Sequence, residues 1–245
     1  MVADALIYHP TVAQYLKFVA TTVGRDKALR TLQYLSRFLA WYLYRTNHAA
    51  SSIAPFEATK KQFGLTRKLM RVGKFVEHFK AAAIASDAKS VDPVLRYTAV
   101  GRQLGYAGYL LADNAVVRAE ATNTLQLDAA NIYKYPASAR LVREGNKAWF
   151  TGITFSIVSS LYQLYCLRER SAKLSSKAAE AEPIVEAKKI ARETNAVRLQ
   201  LLSDLCDITI PATALGWAKL DDGIVGIAGT VSSLLGVYSQ WKKVA

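Results

Sequence analysis

Two cysteines and three histidines in 245 residues leave little material for metal or thiol chemistry. Cys166 and Cys206 each sit inside an apolar run rather than in a close pair, so neither zinc-ligand spacing nor a disulfide framework is present. His9, His48 and His78 are scattered, and no glycine-rich phosphate loop occurs. No catalytic, metal or cofactor residue is therefore assigned, and the chain does not read as an enzyme. Acids are few beside bases: 19 Asp and Glu face 32 Lys and Arg, a net charge of +13 and a pI near 9.7. His9, Pro10, Gln14 and Lys17 interrupt the first twenty residues, which argues against a cleaved secretory signal.

What is present is apolar. Half the residues are hydrophobic, and high basicity with such a composition suits an anionic membrane surface or a nucleic acid. Two uncharged runs of span length, Ala148–Leu167 and Gly223–Trp241, are not explained by nucleic-acid binding, so no nucleic-acid partner is expected. Both runs are flanked by aromatic and basic residues of the kind found at a bilayer boundary.

The stretch that asks most plainly for a membrane surface is Lys60 to Ala85. At 100° per residue, Leu65, Leu69, Val72, Phe75, Val76, Phe79 and Ala83 gather on one side of a helix, and Lys60, Arg67, Arg71, Lys74 and His78 on the other. The first side is the membrane-inserting candidate. On the second, Lys60, Arg67, Arg71 and Lys74 would meet the headgroups of anionic phospholipids. A core-facing helix of a soluble bundle carries the same period, and its charged side is simply wet.

Around this stretch the chain reads as helical throughout. A short helix enters at Pro10 and ends at Gly24, and a second, capped by Thr22, runs to about Arg45. The second helix has Leu29, Leu32, Leu35, Leu39, Tyr42 and Leu43 on one face. Arg30, Gln33, Arg37, Tyr34, Trp41 and Tyr44 lie on the other, which is unusually aromatic for a face meant only for water. Pro55 is placed to open the helix that follows. Val94 to about Ala121 is a further helix carrying Arg96, Arg102 and Asp113, with Gly101 and Gly105 in small-xxx-small spacing. Ser171–Leu199 reads as a solvated connector, and Asp221, Asp222 and Gly223 as a turn. Gly226, Gly229 and Ser233, with Gly101 and Gly105 as a second seam, are the self-association candidates. The fold class is all-α, an integral membrane helical protein. An N-terminal surface region, 1–147, holds the amphipathic helix, and a C-terminal region, 148–245, holds the spans 148–167 and 223–241. Basic excess before Ala148 puts that region in the cytosol, and an even number of crossings leaves both termini there.

LIYHP at Leu6–Pro10, GRDKALRTLQYLSRFLAWYL at Gly24–Leu43 and GTVSSLLGVYSQW at Gly229–Trp241 resemble the peroxin-eleven family of peroxisomal membrane-elongation proteins. The order of parts between them agrees over nearly the whole chain. The resemblance implies a peroxisomal membrane protein whose amphipathic helix inserts into the cytosolic leaflet, bends it and elongates the organelle, promoting peroxisome biogenesis, proliferation and fission. It also implies homo-oligomers, and as partners a dynamin-like fission GTPase and its membrane adaptor. The alternative it offers is a pore for small metabolites, to which ionisable residues in apolar helices also point. Lys242 and Lys243 match a terminal dilysine signal found in some members, or serve as anchors for the last span.

Overall fold

A computed structural model describes residues 8–125, 136–176 and 183–245. Residues 133–135, in the basic stretch ahead of the first expected span, and 177–182 of the expected connector lie outside them. Among the described residues every regular element is a helix: α1 (Pro10–Ala20), α2 (Thr22–Arg45), α3 (Ala50–Met70), α4 (Phe75–Asp87), α5 (Pro93–Leu125), α6 (Pro136–Ser176), α7 (Pro183–Ala214) and α8 (Asp222–Lys243).

The boundaries follow from local chemistry. Pro10 opens α1, where a missing N–H costs nothing, and His9 Nδ1 accepts from the Thr11 amide at 3.2 Å. Thr21, rather than Thr22, caps α2: its hydroxyl accepts from the Gly24 N–H at 2.9 Å and donates to the Phe18 carbonyl at 2.8 Å. Gly24 does not end α1 but lies in the first turn of α2, where a Cβ would come within 2.1 Å of that carbonyl oxygen. Asp92 caps α5 and Asp221 caps α8, each accepting from an amide in the first turn. The expected turn at Asp221–Gly223 is thus a cap and the start of a helix. Asp222 at the first position of α8 and Lys242 and Lys243 in its last turn complement the helix dipole. Pro55 lies inside α3 instead of opening it, five residues after its start.

Compact units follow a different division from the one expected at 147/148. One gathers Met1–Val72 with Gly216–Ala245, and the other is Gly73–Leu215. The reason is α8, which returns to pack along α2. In the first unit α2 is the shared partner of α3 and α8, and α1 leans on α2 and α8. Gln14 Nε2 ties α1 to α8 by donating to the Trp241 carbonyl at 3.0 Å.

The second unit is a row. Helix α4 packs on α5, α5 on α6 and α6 on α7, with no other pairing among its described helices. Its buried apolar side chains, Ala107, Leu110, Ile153 and Ile190 among them, are covered by adjacent helices of the row rather than by a second layer. By length and composition one described helix can cross a membrane, the part of α6 from Ala139 to Leu174. It contains the first expected span and extends beyond it at both ends. The second expected span forms most of α8 but does not reach the same mark, diluted by its glycines and serines.

Candidate membrane-contact surface

Lys60–Ala85 is not one helix. Helix α3 stops at Met70, Gly73 takes the left-handed φ of +77°, and α4 begins at Phe75. Only glycine adopts that conformation at little cost, and hydrophobic period does not register it. The break falls where the two compact units divide.

The apolar arc keeps its place on both pieces. On α3 and the residues after it, Leu65, Leu69 and Val72 are exposed, the last two at 54% and 60%. On α4, Val76 and Phe79 are exposed, and Phe75 is half-buried with its ring edge-on to Phe79 at 6.3 Å.

The basic side differs from expectation. Arg67, expected among headgroups, is 7% exposed: its Nε donates to Asp26 Oδ1 at 3.0 Å and its Nη1 to Gln33 Oε1 at 2.7 Å, both on α2. Burial pushes the Asp26 carboxyl up, but the positive charges of Arg67, Arg71 and Lys27 outweigh it and hold Asp26 below the usual carboxylate range. Lys60 is half-buried, bound to Glu57 at 2.6 Å and 3.9 Å from Asp222 of α8. Arg71, half-buried, donates from Nε to the Arg67 carbonyl, and Lys74 is half-buried at the break.

Helix α2 repeats the inversion. Its face of Leu32, Leu35 and Tyr42 is exposed, while Arg30 and Tyr34 are buried, the Arg30 guanidinium 5.4 Å from the Tyr34 ring centre. Arg37 reaches Asp222 at 2.6 Å. Much of the polar, aromatic side of α2 is therefore what its partners claim, with Leu32 and Leu35 left exposed, Leu29, Leu39 and Leu43 half-buried, and Tyr44 exposed.

The glycine candidates are all in contact within the chain. A Cβ on Gly226 would meet the Phe38 backbone at 2.8 Å, and one on Gly229 the Tyr34 ring at 2.2 Å; Ser233 is fully buried beside them. Opposite this face, Ile224, Ile227, Leu234 and Tyr238 form an exposed stripe. A Cβ on Gly101 would meet the Phe155 ring and one on Gly105 the Gly152 backbone at 2.5 Å, so α5 and α6 meet backbone to backbone. A second copy would have to displace α2 or α6 to use these glycines.

Some polar groups buried in the second unit satisfy one another, although the buried amide of Asn114 on α5 finds no hydrogen-bond partner among the described residues. Asp204 on α7, 1% exposed, accepts from Ser156 of α6 at 2.6 Å and from Gln200 at 2.9 Å. Such bonds hold helices together where no water is available.

The residues that sequence reasoning missed are the partners: Asp26, Gln33 and Asp222 for the cations, and on α6 Gly145 against Ala112 with Ala148 and Gly152 against Gly105. Gly145, Ala148 and Gly152 stand in small-residue spacing, a signal available in the sequence. Asp26, forty-one positions from Arg67, gives none.

Residues 12–241 match the family described as Peroxisomal biogenesis factor 11 (PEX11). Peroxisomal membrane protein PMP27 of Saccharomyces cerevisiae is 29% identical over 249 residues, covering 99% of each chain. Peroxisomal membrane protein PMP30B of Candida boidinii is 27% identical over 98% of each. Peroxisomal biogenesis factor 11 of Schizosaccharomyces pombe is 23% identical, over 95% of this chain and 96% of that one. No solved structure matches.

Proposed function

Because the chain belongs to the peroxisomal biogenesis factor 11 family, whose relatives above are named as peroxisomal membrane proteins or biogenesis factors, we propose that it remodels the peroxisomal membrane. It lays exposed apolar helix faces into the bilayer and so promotes elongation and proliferation of the organelle. The observation that carries this reading is the inversion in α2 and α3: Leu32, Leu35, Leu65 and Leu69 are exposed while Arg30, Arg67 and Asp26 are buried. In water such a surface would drive aggregation, whereas in lipid it is the stable arrangement. Leu65, Leu69 and Val72, with Val76 and Phe79 beyond the break, sink into the cytosolic leaflet. Area added to one leaflet and not the other bends the bilayer. Helix α6 anchors the chain by spanning it, consistent with its uncharged length.

The test is full-length protein carrying Leu69→Asp with Val76→Asp. Each acid removes apolar contact worth about 0.8 kcal/mol per buried CH2. The double variant stays on its organelle, held by α6, and no longer elongates it or tubulates vesicles. Vesicle tubulation equal to that of the wild type would overturn the mechanism. Disappearance of the folded variant would instead assign these side chains to a protein core.

A further inference from the structure

Between α2, α3 and α8, within the first unit, lies a cleft of about 250 Å³ lined by Gln33, Tyr34, Arg37, Lys60 and Asp222. We propose that this cleft binds the headgroup of an ethanolamine phospholipid, its phosphate held by Arg37 and Lys60 and its ammonium by Asp222.

Charge is the first argument. Arg37 and Lys60 converge on Asp222, and Lys60 also holds Glu57. Glu57 lies outside the lining but neutralises Lys60 from 2.6 Å, so the cluster of two cations and two carboxylates is neutral and suits a zwitterion rather than an acid. The Lys60 ammonium stands 3.9 Å from Asp222, beyond hydrogen-bond range, and the side chains of Arg37, Lys60 and Asp222 all retain solvent access. A phosphate oxygen can enter between the cations, and a guanidinium with a neighbouring ammonium is a strong phosphate receptor.

Hydrogen bonding decides between headgroups. An ethanolamine ammonium has three N–H donors for a carboxylate, whereas a choline has none. Choline would need an aromatic cage. The one ring lining the cleft, Tyr34, is unsuited to that role, since Arg30 stacks over it and Gly229 of α8 presses on it.

Size and position agree. The volume is below the roughly 300 Å³ where pockets for drug-sized ligands begin, so a headgroup fits and acyl chains do not. Arg37, Lys60 and Asp222 keep solvent access at the mouth of the cleft, so the acyl chains stay outside it. The inference rests on the reading that this unit contacts a bilayer.

The experiment uses full-length protein in maltoside micelles, titrated with dihexanoyl-phosphatidylethanolamine, dihexanoyl-phosphatidylcholine, dihexanoyl-phosphatidic acid and inorganic phosphate, with thermal unfolding as readout. The ethanolamine lipid binds about tenfold more tightly than the choline lipid, the difference one charge-assisted hydrogen bond supplies. Asp222→Asn erases that preference while leaving binding of both, and Lys60→Met weakens both. If Asp222→Asn fails to fold, the wild-type ranking and Lys60→Met decide alone. Equal affinity for the two zwitterionic lipids, tighter binding of phosphatidic acid, or stabilisation by inorganic phosphate alone would each overturn the proposal. Flotation of the wild type on vesicles of pure phosphatidylcholine is the parallel control: its loss strikes the proposed membrane function. Retained flotation without headgroup preference strikes the cleft alone.

Discussion

The α2–α3 contact and the α5–α6 contact join two helices each by opposite means. Long side chains of opposite charge bridge the first: Arg67 spans to Asp26 and Gln33, and even Gly64 of α3 faces the Gln33 side chain. In the second nothing intervenes, because Gly105 and Gly152 let the backbones touch, with the Tyr109 and Trp149 rings stacked at 4.8 Å beside them. A bridged contact depends on charge and tolerates small shifts of distance. A glycine contact ignores charge and tolerates no added atom.

That contrast breaks first at Gly105. A leucine there puts Cβ 2.5 Å from the Gly152 Cα and 2.8 Å from the Ala148 carbonyl oxygen, backbone atoms that cannot step aside. We expect a loss of more than about 3 kcal/mol, at the upper end of overpacking, read as collapse of the cooperative thermal transition. Gly108→Ala is the control. Its Cβ would meet only the Ala148 methyl at 3.2 Å, so its gain in helix propensity, about 1 kcal/mol, offsets the contact.

Arg67→Met comes next. It strands a carboxylate that is only 13% exposed and costs about 2 to 3 kcal/mol, somewhat less than a fully buried pair. Adding Asp26→Leu restores most of it, a cycle that denaturant melts can close. Were the charge pair merely decorative, the single and double variants would melt together.

Acid should separate the two contacts. The folded pKa of Asp26 is lowered, so its contribution is present above the unfolded value and lost as pH falls through the folded one. The protection of α3 amides, taken as exchange relative to the intrinsic rate at each pH, therefore falls only as pH drops below the ordinary carboxylate range. The α5–α6 glycine contact involves no titrating group, and exchange there keeps its pattern.

Smallest is Leu69→Asp alone. The side chain is exposed, and its replacement changes folding stability by less than about 0.5 kcal/mol, while vesicle binding falls measurably. A large loss of stability would mean that α3 buries this face.

Helix content, the two uncharged runs and the glycine spacings were legible because each is written in local pattern. What the glycines touch was not. Spacing at Gly101 and Gly105 marks a close approach without naming the partner, and the partner proved to be α6. The direction of the amphipathic faces was also hidden. A period of 3.6 separates Leu69 from Arg67 but does not say which side meets solvent, because that depends on Asp26, another helix and forty-one residues away. The break at Gly73 was readable in principle as a poor helix former within a basic run, yet the apolar period of the sequence runs on through it and hides it.

The return of α8 to α2 sets an order of events in synthesis. Tyr34, Phe38 and Trp41 of α2, against which the α8 glycines lie, leave the ribosome about two hundred residues before their partner does. At about 5 to 20 residues per second that interval is roughly ten to forty seconds. For all of it the part of α2 that α8 covers stays open, and the first unit cannot close. The nascent chain must be shielded throughout that time or delivered only when complete, which makes the last thirty residues a timer for the whole molecule.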